Sequence, residues 1–95
     1  SPLAGQKAWV TGGGSGIGAA AARALAEAGA AVTVSGRRRE ALQRVAADSQ
    51  RIATLALDVT DAPAMARAGR ELGEIDILVA SAGTNNLQVT LQTCK

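Results

Sequence analysis

Residues 10–18 read VTGGGSGIG, with five glycines in nine positions at the end of a short apolar run. Glycine weakens helices and strands alike, so a cluster this dense supplies backbone freedom or bare backbone that other residues cannot. A hinge, a tight turn and a cradle for an anion would all use it. The flanking sequence decides among them.

Short β-branched runs recur at 7–11 (KAWVT) and 31–35 (AVTVS), and runs with more Leu and Ile at 51–57 and 75–79. Helical spacing fills the gaps. Ile17, Ala20, Ala21, Ala24, Leu25 and Ala28 recur at three- and four-residue steps opposite Arg23 and Glu27, and Gly29 follows as a stop. Ala41, Leu42, Val45 and Ala46 mark a second helix over 38–48. A third spans about 61–72, with Thr60 or Asp61 as cap, Pro63 in its first turn and Gly73 at its end. The strands lack alternation, as in a parallel sheet covered on both faces. Four strands alternating with three helices predict an α/β fold with a parallel sheet.

Composition narrows the function. Of 95 residues, 47% are hydrophobic and 22 are alanine, while Trp9 is the one aromatic, so the core must be small and aliphatic, with Trp9 in it. A net charge of +2 gives no basic surface for nucleic acid, and Arg37–Arg39 lack interleaved aromatics. No apolar stretch reaches the roughly 18–20 residues of a membrane span, and SPLAGQK has no signal-like core. Cys94 alone cannot form an internal disulfide, which fits a reducing, cytoplasmic setting. A soluble protein is expected.

In this context the loop leaves a buried strand and opens a helix, where backbone N–H groups lack intrahelical partners and the helix dipole is positive. An anion fits there if no side chain intervenes. A packing turn explains two of the glycines but not five. No Gly-Lys-Ser/Thr follows, which removes the P-loop and leaves a Rossmann-type dinucleotide site. Gly12, Gly14, Ser15, Gly16, Ile17 and Gly18 are its candidate residues.

Thr11, Gly12, Gly16 and Gly18 stand as T-G-x-x-x-G-x-G, LDVT occupies 57–60, and IDILVASAG occupies 75–83. In this order and spacing they closely resemble the classical short-chain dehydrogenase/reductase family. The resemblance implies the N-terminal half of a doubly wound Rossmann-type sheet, and an oxidoreductase moving hydride between a carbonyl or alcohol and a nicotinamide cofactor. It implies that Asp58 and Val59 lie against the adenine. It also implies that Ser81, Ala82 and Gly83 correspond to the end of an Asn-Asn-Ala-Gly motif, from which this chain departs at Ala80 and Ser81.

A NAD site places a carboxylate at the end of the second strand. Here Gly36 stands there, followed by Arg37, Arg38 and Arg39, whose guanidinium groups fork onto phosphates. Arginine at a helix start opposes the dipole unless an anion offsets it. This predicts NADP rather than NAD, with Arg37 and Arg38 on the 2′-phosphate.

The family resemblance also implies a catalytic Ser and a Tyr-x-x-x-Lys downstream of Gly83, but the chain has no Tyr and no His, so no catalytic residue is assigned. Residues 1–83 read as one cofactor-binding unit and 84–95 as a tail, in which Leu87, Val89 and Leu91 alternate. A piece of a longer chain, a premature stop or a frame change would each produce this. Two functions stay open: the NADP-binding half of an oxidoreductase for a small carbonyl or alcohol, or a non-catalytic nucleotide-binding module. The fourth strand, with no later unit to pair its edge, predicts self-association.

Overall fold

The computed structural model describes residues 2–12, 14, 16–81 and 87–91. Strand β1 (Lys7–Thr11) leads into helix α1 (Gly16–Glu27), then β2 (Ala31–Gly36), α2 (Arg39–Ala46), β3 (Ile52–Ala56), α3 (Ala62–Leu72), β4 (Ile77–Ser81) and β5 (Leu87–Leu91). The sheet order is β3-β2-β1-β4-β5. Strands β1 to β4 are all parallel, and β5 runs antiparallel to β4. The chain builds outward from β1 to β3, then crosses back to place β4 on the other side of β1. That reversal creates the switch point at which open α/β sheets bind ligands, beyond the carboxyl ends of the strands.

One face of the sheet carries the core. Ala8, Val10, Val32, Val34, Ile52, Ile77 and Val79 meet Ala19, Ala22, Ala26, Leu42 and Val45 of α1 and α2. The period-2 alternation of strands sends Trp9 to the opposite face. There α3 covers it: a Cβ added at Gly69 would lie 3.9 Å from the Trp9 ring. Asp61 caps α3, its side chain accepting from the Ala64 N–H at 3.2 Å. Gly73 ends that helix at a φ of 77°, a left-handed turn open to glycine.

Three expectations change. The buried face of α1 is centred on Gly18, Ala19, Ala22 and Ala26; of the expected stripe, Ala21 and Leu25 pack at the core's margin, Ile17 and Ala28 are half-buried, and Ala20 and Ala24 are exposed. In a helix this rich in alanine, apolar spacing fits several faces, and the chosen face, which includes Gly18, is set by how the helix lies on the sheet. Strand β3 is mostly exposed, with Ile52 its one buried residue, because it forms an edge of the sheet, covered mainly by α2. Finally, the edge of β4 is paired. Only residues 82–86 separate the two strands, too few for a parallel crossover, so the alternating 87–91 segment folds back antiparallel, with Ser81 opposite Leu87. Any association through a bare sheet edge must therefore use β3 or β5.

Candidate functional site

At the carboxyl end of the sheet, Thr11 of β1 pairs with Ser35 of β2 on one side and Ala80 of β4 on the other. The glycine loop leaves from this point. Gly12 turns the chain at a φ of 76°, in the left-handed region that L side chains avoid, and its N–H donates to the Ser35 carbonyl at 2.7 Å. Gly14 lies against α2, where an added Cβ would meet the Ala41 Cβ at 3.0 Å. Gly18 is buried within α1 and Ile17 half-buried. These three glycines have reasons internal to the protein.

Gly16 does not. It is exposed at the first position of α1, and an added Cβ would meet nothing within 4 Å. A glycine with open space around it, at the positive end of a helix, leaves the backbone accessible from outside. Ser15 lies outside the described residues.

Beside Gly14 opens a cleft of about 510 Å³, lined by Gly14, Arg38, Arg39, Glu40, Ala41 and Arg44. Arg38 is the N-cap of α2 and makes no side-chain capping bond. The positive end of this helix thus starts with two arginines and no capping acceptor, and Arg44 joins them from the last turn. Three guanidinium groups against one carboxylate make the cleft suited to an anion. Arg44 was not among the sequence candidates, and Arg39 was named there without a place on the 2′-phosphate. Arg44 stands three residues beyond Ala41 and four beyond Glu40, the spacing that gathers residues on one helical face. That signal meant nothing until Gly14 was seen to pack on Ala41.

Arg37 has a different neighbourhood. Gly36 pairs with Ala56, and the Leu57 N–H donates to the Gly36 carbonyl at 2.9 Å, so Arg37 and Asp58 leave adjacent strand ends. The Asp58 carboxyl is held below its ordinary value of 3.8, first by the Thr60 hydroxyl and then by the Thr60 N–H. These donate to Oδ1 at 2.6 and 2.9 Å. Slight desolvation opposes them, and the Arg37 charge adds a smaller downward pull. Asp58 is therefore ionised and oriented, while the capping of α3 falls to Asp61. Val59 next to it is 38% exposed, the large apolar side chain left most open among the described residues. Ser81 ends β4 in register with Leu87; Ala82 and Gly83 lie outside the described residues. Among the described residues no group of three or more Asp, Glu, His or Cys could hold a metal ion. No helix there is long and apolar enough to cross a membrane.

Comparison with known proteins agrees with this geometry. Residues 6–95 match the short chain dehydrogenase family, and the chain belongs to it. Mouse (Mus musculus) L-xylulose reductase is 37% identical over 93 residues, covering 98% of this chain and 38% of that protein. Glycine betaine reductase of Emericella nidulans is 46% identical over 90 residues, covering 86% of this chain and 7% of that one. The chain thus spans well under half the length of these relatives. Among solved structures, a dehydrogenase/reductase from Sinorhizobium meliloti superposes with a TM-score of 0.78 at 44% identity, covering 84% of this chain and 35% of its own. The Pseudomonas aeruginosa RhlG/NADP active-site complex gives 0.73 at 40% identity, covering 86% and 36%.

Proposed function

We propose that this chain is the NADP-binding part of an oxidoreductase that interconverts carbonyls and alcohols. The observation carrying this reading is the cleft at the uncapped start of α2, where Arg38, Arg39 and Arg44 gather beside Gly14. A phosphate there would satisfy the guanidinium groups and act as the missing anionic cap. Glu40 is the cleft's lone carboxylate, and the end of β2 offers Gly36 in place of the acidic residue a 2′-hydroxyl would need. Solved relatives include complexes with NADP and with NADH, so the arginines are what tips the choice.

In this reading the segment from Gly12 to Gly18, through Gly14, Ser15, Gly16 and Ile17, receives the pyrophosphate, which approaches at the open Gly16. Arg38 and Arg39 hold the 2′-phosphate with Arg44 behind them, and Arg37 adds its charge from the Asp58 side. Asp58 and Val59 flank the adenine, one as an acceptor and the other as apolar cover. Ser81 ends β4, and in this reading Ala82 and Gly83, which follow it in the chain, border the cofactor. The bound cofactor supplies hydride chemistry, and this chain's residues bind and orient it. A second reading, a nucleotide-binding module without turnover, draws support from the absence of Tyr and His in these 95 residues.

Calorimetric titration with 2′,5′-ADP and with 5′-ADP tests the cofactor choice. Charge-assisted bonds of about 1.5–3 kcal/mol predict roughly ten- to a hundredfold tighter binding of the 2′-phosphorylated nucleotide. Equal affinities would refute NADP and leave the arginines as solvated surface.

A further inference from the structure

Trp9 and Ser35 do more than fill the core. The Trp9 indole N–H donates to the Ser35 hydroxyl at 2.9 Å, and both side chains are buried, at 6% and 0% exposure. The bond runs diagonally: Trp9 is in register with Thr33, while Ser35 is in register with Thr11. On its far side the indole lies against α3 at Gly69. A buried indole N–H and a buried hydroxyl each cost free energy unless bonded, and here each satisfies the other. An aliphatic residue at position 9 would fill the sheet face without reaching Ser35.

Ser35 is also the residue from which the glycine loop hangs. Its carbonyl accepts the Gly12 N–H at 2.7 Å, where the loop turns with a positive φ. One residue later β2 ends, and Arg37 and Arg38 begin. The Thr11 hydroxyl ties the same end of β1 to the Val79 carbonyl of β4 at 3.4 Å. Fixing Ser35 therefore fixes the origin of both the glycine loop and the arginine segment.

We infer that Trp9 and Ser35 are positioning residues, whose hydrogen bond holds the Gly12 turn in its ligand-ready geometry. The inference rests on the dinucleotide reading of the loop for its functional consequence. Its structural half, the restraint on Gly12, does not depend on any ligand.

The test compares the chain with Trp9→Phe, Ser35→Ala and the double variant. Ile52→Val, a core truncation at the far end of the sheet, controls for loss of stability. Each is checked for folding by circular dichroism, then titrated with 2′,5′-ADP, and the Gly12 amide is followed by hydrogen exchange without ligand. Each single variant should weaken binding about three- to tenfold, the span of one neutral hydrogen bond. The double variant should lose little more than the worse single, and Gly12 exchange should quicken in all three. Ile52→Val should change neither readout. Should Ser35→Ala fail to fold, Trp9→Phe alone decides, because it keeps an aromatic ring on that face and deletes the donor. Unchanged affinity and unchanged Gly12 exchange in a folded variant would overturn the inference. A wild-type chain that binds no 2′,5′-ADP would instead overturn the dinucleotide reading, and Gly12 exchange would still decide whether the pair restrains the loop.

Discussion

Gly16 is the residue at which the turn reading and the ligand reading part. Gly12 is required by its positive φ and Gly14 by the approach of Ala41, and neither needs a ligand to explain it. Gly16 sits in open space at the head of α1. A side chain there would meet solvent in the free protein and the ligand in the bound one. Gly16→Val should therefore leave the melting temperature within a few degrees of wild type, since an exposed change of about 0.5 kcal/mol moves it little. It should also abolish detectable 2′,5′-ADP binding in calorimetry. Undiminished affinity would mean the loop is only a turn.

Among the elements, α2 holds its own stability in tension with binding. Helix α3 starts conventionally, with Asp61 accepting from Ala64. Helix α2 starts on Arg38, which caps nothing and sits at the positive end of the dipole. Replacing a poor cap by Asp is worth about 0.5–2 kcal/mol, so Arg38→Asp should stabilise the free chain by that order in urea unfolding. The same change puts a negative charge where a phosphate is expected, and should weaken 2′,5′-ADP at least about tenfold. A variant that gained stability and kept its affinity would show that Arg38 serves no anion. The sequence had already marked this segment, through Gly36 and the run of arginines behind it. It left open which guanidinium groups meet, because that depends on how α2 lies over the glycine loop.

Across these 95 residues, the inventory of side chains bears on chemistry. Reduction of a carbonyl needs a proton at the oxygen as hydride arrives, from a donor that titrates near the working pH. With no Tyr and no His, these 95 residues carry no obvious one. The chain should accordingly bind NADPH yet leave its absorbance steady with a panel of small aldehydes and ketones. Turnover by the chain alone would reveal a proton donor among residues not assigned here. The sheet itself extends past β4 through β5, so the face carrying the loop is framed by strands on both sides of β1.

Much of this was legible in the amino-acid order, because the signals were local. Strand, glycine loop and helix follow within twelve residues of Lys7, and the places of β1 to β3 and of all three helices were marked by apolar runs, caps and stops, while β4 begins at Ile77, two residues later than the 75–79 run. Local chemistry also marked Gly12, Gly16 and the arginines as candidates, and the family resemblance marked Asp58. Other features were decided between elements. Alanine on every side of α1 hid its buried face, which only packing against the sheet fixed. The alternation at 87–91 became a strand only because β4 offered an open edge within reach. Arg44 joined Arg38 and Arg39 because Gly14 packs on Ala41, and Trp9 found Ser35 because parallel pairing brings residues 26 apart to hydrogen-bonding distance. Periodicity and capping act over a few residues and are written in their order. Which faces meet depends on the shapes of surfaces far apart in the chain, and only the folded packing settles it.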